Sequence, residues 1–195
     1  MTGVTLYLVR HGEADSNAAG ILSSYPEVPG RTVRHLTARG MAEVQETADS
    51  LREEGIDVII SSPLTRAVET ATIIGEAVGV PVWQDIRLRE TDFGQFNTLP
   101  MDKFFQVYSS PEKRIHTDGS DGVESFEDMR ARVTNLLNEV AREFPGKKVV
   151  LVSHGDALEQ IHGVITSEDV TASALGWSPK TGTYLKMVWQ GTSAI

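Results

Sequence analysis

Two histidines each follow a short apolar run, and each is followed by glycine. The tripeptide Arg10-His11-Gly12 comes directly after residues 4–9, and Ser153-His154-Gly155 comes directly after residues 149–152. Apolar runs of this length are typical of buried strands, and ligands bind where the strands of such sheets end. We therefore expect both imidazoles to open onto one pocket.

Arginine and amide side chains near these strand ends favour phosphate chemistry. Arg10 and Arg66 supply two planar guanidinium groups, and Asn17 supplies an amide shortly after the first histidine. A phosphoryl group in transfer spreads negative charge over its oxygens, which guanidinium groups and an imidazole hold in fixed positions. His11 can then be the nucleophile if it is neutral and an acceptor such as a backbone carbonyl fixes its other ring N–H, whereas His154 acts as a donor.

A leaving alkoxide also needs a proton, and the segment 89–94 supplies carboxylates for this step. Glu90 is the predicted acid, with Asp92 as the alternative. Partial burial and the phosphate charge would raise the pKa of Glu90 enough to keep it protonated near neutral pH. The same carboxylate would then accept a proton from water in a second half-reaction.

The elements that position these residues alternate between strand and helix. Strands are predicted over residues 4–9, 58–60, 149–152 and 184–189. Helices are predicted over 38–54, from Pro63 to Gly79, over five turns from the capping box at Ser125, and from near His154. This alternation predicts an α/β fold, with a mostly parallel central sheet covered by helices on both faces. We expect a single domain over residues 1–195.

Composition narrows the classes of partner. The formal charge of −9 argues against general binding to nucleic acid or to anionic membranes. The absence of cysteine excludes disulfides and thiolate metal sites, and it suits a reducing compartment. With no basic leader and no long apolar run, we expect a cytoplasmic protein that does not bind membranes. Its oligomeric state is left open.

Six ordered motifs resemble those of the histidine phosphatase superfamily, the family of cofactor-dependent phosphoglycerate mutases and many small phosphatases. The motifs cover nearly the whole chain: residues 8–13 with Asn17, Leu36-Thr37 with Gly40, residues 61–67 with Thr70-Ala71, residues 88–90 with Phe93-Gly94, residues 123–125, and residues 152–155.

This resemblance implies a three-layer α/β/α fold like that of phosphoglycerate mutase. It also implies that His11 becomes phosphohistidine, that Arg10, Arg66 and His154 bind the phosphoryl group with help from Asn17, and that Glu90 transfers the proton. No metal and no cofactor are implied, and the partner is a small-molecule phosphomonoester.

The sequence departs from its relatives mainly in the loops. Asn97-Thr98 stand where many relatives have Glu-Gly, and Val123 stands where relatives usually have glycine. Residues 20–36 lack the Gln-Gly pair that is usual in relatives. Because the roles of the segments 20–36 and 97–122 cannot be read from these residues, the sequence does not identify the substrate. The favoured activity is a phosphatase, because the acid loop lacks the Arg-x-Tyr-Gly element of mutases. The alternatives are mutase-type phosphoryl transfer and, less favoured, a noncatalytic phosphate-binding module.

Overall fold

A computed structural model describes residues 3–24 and 26–191, and within them a five-stranded sheet forms the centre of the molecule. The strands are β1 (Val4–Arg10), β2 (Val58–Ser61), β3 (Val82–Gln84), β4 (Lys148–Ser153) and β5 (Tyr184–Trp189). Their order is β3-β2-β4-β1-β5. The first four strands are parallel, and β5 pairs antiparallel with β1.

Seven α-helices lie in the described residues. They are α1 (Asp15–Ala19), α2 (Ala38–Leu51), α3 (Thr65–Val78), α4 (Met101–Val107), α5 (Phe126–Glu143), α6 (Gly155–Thr166) and α7 (Val170–Leu175). The four predicted helices are present as α2, α3, α5 and α6. Helix α2 ends at Leu51, three residues earlier than expected, and Pro63 precedes the N-cap Leu64 rather than lying in the first turn of α3.

The predicted three layers are confirmed by the packing of the two sheet faces. On β1, Tyr7 and Val9 pack with residues of α2 and α3, whereas Leu6 and Leu8 pack with residues of α5 and α6. Strand β4 alternates in the same way. Because helices cover both faces, nearly every residue of these strands is apolar, which is the pattern that the sequence displays.

A third, smaller cluster covers the edge of the sheet where the parallel strands end. It joins two stretches that are distant in sequence, and its buried members are Leu22, Phe93, Phe96, Phe104, Tyr108 and Val123. The ring of Phe104 meets those of Phe93 and Phe96 edge to face, at centroid distances of 5.3 and 5.5 Å. Backbone bridges tie Ile21 to Pro100 and Phe93 to Val123. This aromatic cluster forms one wall of the site described below.

Across residues 3–24 and 26–191, no helix is both long and apolar enough to cross a lipid bilayer.

Candidate active site

The two histidines meet at the carboxyl ends of neighbouring parallel strands. His11 follows β1 and His154 follows β4, and these strands are paired in register up to Arg10 and Ser153. The two ring centroids are 5.0 Å apart, and both side chains are buried. Register between adjacent strands thus brings together residues that are more than 140 positions apart in sequence.

The His11 ring is held in one tautomer. Its Nδ1 lies 2.7 Å from the carbonyl oxygen of Gly12. Because a carbonyl can only accept, Nδ1 must carry the ring proton, which leaves the lone pair on Nε2. The Nε–H of Arg66 donates to that Nε2 at 3.0 Å. Burial, and then the charge of Arg66, hold the pKa of His11 well below its ordinary value of 6.5, so the ring is neutral at pH 7.

The turn that carries His11 is fixed by close backbone packing. A Cβ atom at Gly12 would clash with the carbonyl oxygen of Gly40 in the first turn of α2, so two glycines are needed where β1 meets this helix. The Gly12 N–H donates to Thr70 Oγ1 of α3 at 3.2 Å. Helix α2 itself begins at Thr37, whose hydroxyl accepts from the Gly40 N–H. Both helices therefore hold the carbonyl that orients the imidazole.

Two guanidinium groups flank the ring. Arg66 lies in the first turn of α3, and its Nη2 donates to the carbonyl oxygen of Ser23 at 3.0 Å. Burial lowers the pKa of Arg66 to about 10, so the group is still charged at neutral pH. Arg10 donates from Nη1 to the carbonyl oxygen of Pro179 at 2.7 Å, and its buried Nε has no hydrogen-bond partner among the described residues.

His154 supports the first ring from within the protein. Its Nε2 lies 2.8 Å from Ser62 Oγ, at the end of β2, and its buried Nδ1 has no partner among the described residues. The Ser62 hydroxyl also accepts from the Leu64 N–H at 3.3 Å, which holds it in position beside the ring. Burial and the charge of Arg66 hold the pKa of His154 well below 6.5.

Glu90 lies beside Arg10 at the mouth of the site. A Cβ atom built on Gly155 would be 3.7 Å from Arg10 Nη2 and 3.8 Å from Glu90 Oε2, so both groups border the start of α6. Desolvation, and then the charge of Asp156, raise the pKa of Glu90 to about 7. A carboxyl group with this pKa can both donate and accept a proton near neutral pH.

Thr91 connects Glu90 to Asp156. The Thr91 N–H donates to Glu90 Oε1 at 3.0 Å, and its hydroxyl donates to Asp156 Oδ2 at 2.6 Å. Arg114 forms an ion pair with Asp156 and also donates to the Thr91 hydroxyl. The charge of Arg114 lowers the pKa of Asp156 against the opposing effect of burial, so Asp156 is ionised next to Glu90.

A cavity of about 320 Å³ opens over these groups. Of the predicted site residues, Arg10, His11, Asn17, Arg66 and Glu90 line it, and His154 lies behind His11 without lining it. Asn17 Oδ1 accepts from the Ala14 N–H at 2.9 Å, which holds the amide in place at the start of α1.

The alternative acid, Asp92, is not among the lining residues. Its Oδ1 accepts from the Gly94 N–H at 2.9 Å, so this carboxylate supports the turn that follows Glu90. Glu124, from the motif at residues 123–125, also has a supporting position. It forms ion pairs with Arg89 and Arg132 at 2.9 and 2.7 Å.

Sequence reasoning missed several residues of the outer cavity: Arg114, Glu159, Ser178, Met101, Phe104 and Phe105. Arg114 lies in a turn-rich stretch without a motif, and only tertiary contacts bring it to Asp156. Glu159 lies one turn after Asp156 on the helix that follows His154, so helical spacing within this predicted helix could have identified it. No group of three or more His, Asp or Glu side chains arranged for a metal ion occurs within residues 3–24 and 26–191.

Comparisons with known proteins identify the family of this chain. The sequence model of the histidine phosphatase superfamily (branch 1) matches residues 6–187. An uncharacterized phosphatase, PhoE, of Bacillus subtilis is 31% identical over 166 residues, which cover 85% of this chain and 77% of the relative. A probable phosphoglycerate mutase, GpmB, of Escherichia coli is 35% identical over 158 residues, covering 78% of this chain and 70% of the relative.

Solved structures show the same fold. A mycobacterial glucosyl-3-phosphoglycerate phosphatase superposes with a TM-score of 0.79 at 23% identity, covering 96% of this chain and 99% of the other. A putative α-ribazole-5′-phosphate phosphatase of Escherichia coli gives a TM-score of 0.77 at 23% identity, covering 94% and 89%. These structures show the shared fold, and the family model, which matches residues 6–187, shows that the chain belongs to branch 1 of the histidine phosphatase superfamily.

Proposed function

We propose that this protein is a phosphatase that hydrolyses a small-molecule phosphomonoester through a phosphohistidine on His11, with Glu90 as proton donor and without a cofactor. The observation that carries the proposal is the state of the His11 ring. Its proton is held on Nδ1 by the Gly12 carbonyl, its Nε2 has the lone pair, and two guanidinium groups lie beside it in one cavity.

In the first half-reaction, His11 Nε2 attacks phosphorus in line with the ester oxygen. The N–P bond forms as the P–O ester bond breaks, and the carboxylic proton of Glu90 goes to the leaving alkoxide. The Nε–H of Arg66 points at Nε2 in this structure, so it must turn to a phosphoryl oxygen as the substrate binds. The products of this step are the free alcohol, phosphohistidine and the Glu90 carboxylate.

In the second half-reaction, water replaces the histidine. The Glu90 carboxylate accepts a proton from water as its oxygen attacks phosphorus, and the N–P bond breaks to return neutral His11. Orthophosphate leaves, and Glu90 is protonated again. The pKa of about 7 for Glu90 suits both steps, because the acid and the base must have comparable populations near neutral pH.

The binding of the phosphoryl oxygens is assigned to groups that the fold brings together. Arg10 and Arg66 provide charged donors, and the Asn17 amide lines the same cavity. His154 lies behind His11, and its buried Nδ1 has no protein partner among the described residues. Arg66 must exchange its contact with His11, but donors that the fold holds near their final positions need little reorganisation as charge moves onto the phosphoryl oxygens.

A mutase is the second candidate, and the 35% identical relative named as a probable phosphoglycerate mutase favours it. It shares the first half-reaction but returns the phosphoryl group to a bound acceptor instead of water. The phosphatase is preferred because the segment 91–94 lacks the Arg-x-Tyr-Gly element and because PhoE is named a phosphatase. A noncatalytic phosphate-binding module would need no neutral imidazole beside a carboxyl group of pKa about 7.

The test uses p-nitrophenyl phosphate and follows both released phosphate and phosphate bound to the protein. Wild type should acquire an acid-labile, alkali-stable phosphate, and His11→Ala should lose it and release phosphate at least about a thousandfold more slowly. His35→Ala is the matched control, because this exposed ring pairs with Glu69 away from the cavity. Full phosphate release by His11→Ala would refute the nucleophile. Isomerisation of a phosphoglycerate that depends on a bisphosphate primer would establish the mutase instead.

The absence of cysteine suits a reducing compartment, so the proposed location is the cytoplasm. We also propose that residues 1–195 act as one domain, because the cavity draws its lining from residues between Arg10 and Ser178.

A further inference from the structure

The outer part of the cavity, beyond Glu90, holds charges that the proposed reaction does not use. Arg114, Asp156 and Glu159 line it together with Ser178. Arg114 is engaged already: it forms an ion pair with Asp156, and its guanidinium carbon lies 4.0 Å from the centre of the Phe126 ring. It is therefore not a free cation that could bind an anionic ligand.

Glu159 is a carboxylate without a cationic partner. It lies one turn after Asp156 on α6, it is half-buried, and Ser178 hydrogen-bonds to its side chain. Among the residues that the structure describes, no Lys, Arg or His nitrogen lies within ion-pair distance of its oxygens. Since Arg114 and Asp156 balance each other, Glu159 gives the outer cavity an unpaired acidic group, and the pKa of about 8 means that this group carries its negative charge above about pH 8.

The apolar lining residues offer no cation either. They are Ile21, Met101, Phe104 and Phe105, and the Phe104 ring centre lies 5.2 Å from the guanidinium carbon of Arg114. The remaining cationic lining residues, Arg10 and Arg66, lie at the phosphoryl end beside His11. An alcohol group of the substrate that extends outward from the phosphoryl group thus meets carboxyl groups together with aromatic and aliphatic side chains.

From this arrangement we infer the substrate class of the proposed phosphatase: a phosphomonoester whose alcohol part carries hydroxyl or ammonium donors, directed at Glu159 and Asp156, and no second anionic group. The inference rests on the proposed function and narrows it. Carboxyl oxygens accept hydrogen bonds from either donor. A carboxylate on the ligand would lose its hydration there without a compensating cation, and above about pH 8 it would also face the charge of Glu159. Phosphoglycerates are therefore poorer substrates than polyol phosphates, and the difference is largest above about pH 8.

The test compares two esters that share a three-carbon skeleton. Glycerol 1-phosphate ends in a hydroxymethyl group, and 3-phosphoglycerate has a carboxylate at that position. At pH about 9, where Glu159 is ionised, wild type should prefer glycerol 1-phosphate in kcat/KM by about tenfold or more, which is the scale of one unscreened like-charge contact. Ethanolamine phosphate tests whether the donor on the alcohol part of the substrate is an ammonium group. A higher kcat/KM for ethanolamine phosphate than for glycerol 1-phosphate would identify this donor as cationic.

Glu159→Gln removes the charge and keeps the hydrogen-bonding shape. At the same pH of about 9, the ratio of kcat/KM for the two esters should fall about tenfold toward the anionic substrate in this variant. Glu46→Gln, an exposed carboxylate on α2 outside this cavity, is the matched control and should keep the wild-type ratio. An unchanged ratio in Glu159→Gln, or equal use of both esters by wild type, would overturn the inference.

The pH dependence of this ratio gives a second readout. Burial, and then the charge of Asp156, raise the pKa of Glu159 to about 8, with Glu90 acting in the same direction and Arg114 against it. The preference for glycerol 1-phosphate should therefore increase as pH rises through about 8 in wild type and should not change with pH in Glu159→Gln. Protonation of Glu90 affects both esters alike, so it cancels from the ratio.

Binding separates this inference from the proposed chemistry. Dissociation constants of both esters for His11→Ala, measured by calorimetry, require no turnover. Tighter binding of glycerol 1-phosphate supports the substrate class even if no phosphoenzyme forms in wild type. Equal or tighter binding of 3-phosphoglycerate contradicts the substrate class even if phosphohistidine is found.

Discussion

Replacing Asp156 by asparagine should move the pH range in which Glu90 acts as an acid. Desolvation is the main reason that the pKa of Glu90 is about 7, and the negative charge of Asp156 is the next. Asparagine removes that charge but keeps an oxygen that can accept from the Thr91 hydroxyl, so the local hydrogen bond is retained. Arg114 also loses its counter-charge, and its field acts on Glu90 in the same direction.

The size of the shift follows from the position of Thr91. One residue bonds to both carboxylates, through its N–H at 3.0 Å and its hydroxyl at 2.6 Å. The covalent path between these two atoms is short, so the bonded oxygens are at most about 10 Å apart. At an effective dielectric constant of about 20, two charges at ~10 Å interact by about 1.7 kcal/mol, or a little over one pKa unit. The pKa of Glu90 should therefore fall from about 7 to about 6.

The assay is the pH profile of phosphoenzyme formation in single turnovers with an alkyl phosphate, whose leaving group needs the proton. Glu90 acts as the acid only while it is protonated, so lowering its pKa moves the alkaline limb of the profile down by about one pH unit in Asp156→Asn. With p-nitrophenyl phosphate, which leaves without protonation, the limb should be weak in both proteins. Asp92→Asn is the control, since Asp92 does not line the cavity. A limb that moves in the control but not in Asp156→Asn would refute Glu90 as the acid.

Four further outcomes follow from the structure. Arg66→Lys should weaken inhibition by inorganic phosphate by about tenfold or more, because lysine lacks the planar fork that meets several oxygens at once; an unchanged inhibition constant would contradict this. Because the pKa of His11 is well below 6.5, the single-turnover rate of phosphoenzyme formation should not fall between pH about 7 and about 6, and a loss there would show that the nucleophile is protonated. Gly40→Ala places a Cβ against the Glu13 backbone and should cost about 1–3 kcal/mol in urea unfolding, whereas an unshifted midpoint would show that the backbone yields. Leu158→Ala, at a fully buried position of α6, should cost about 2–5 kcal/mol by the same measurement, and a cost below about 1 kcal/mol would contradict the packing described.

The central layers could be predicted because their signals are local. Strand β5 covers the predicted residues, and helix α5 begins at its Ser125 cap, where the Asp128 N–H donates to the serine hydroxyl. A strand that is buried on both faces is a short apolar run, and a helix with one buried face has apolar residues at helical spacing. Both patterns can be recognised within a short stretch of sequence. The same is true of the histidines, because each is adjacent to its strand.

The sequence does not predict β3 and α4, because these two elements lack a local pattern of buried residues. Strand β3 has three residues at the sheet edge, and its Trp83 is 66% exposed, so no buried face marks it. Helix α4 is short, and it buries Phe104 against aromatic rings from a different part of the loop rather than presenting a regular face. Contacts between loops depend on where the sheet places them, which local periodicity does not encode.

Arg66 illustrates the same limit, because the i,i+3 spacing alone would also allow it to pair with Glu69 on its own helix. Glu69 instead accepts from the Leu36 N–H and pairs with His35, and Arg66 turns the other way to His11 and Ser23. Helical spacing allowed both arrangements. Arg66 turns to His11 because β1 places the His11 Nε2, an acceptor, within reach of the guanidinium group.

In the proposed reaction, Asp156 affects both the binding of the alcohol part of the substrate and the pKa of Glu90, the acid that protonates the leaving group. The carboxylate neutralises Arg114 in the outer cavity and, through its charge, raises the pKa of Glu90. A change that freed Arg114 to bind an anionic alcohol, by removing Asp156, would at the same time lower the pKa of the acid. Such a variant would gain affinity for an anionic ester and lose rate at neutral pH with poor leaving groups. In the proposed reaction, specificity for a donor-bearing alcohol and acid catalysis near pH 7 would therefore depend on the same ion pair.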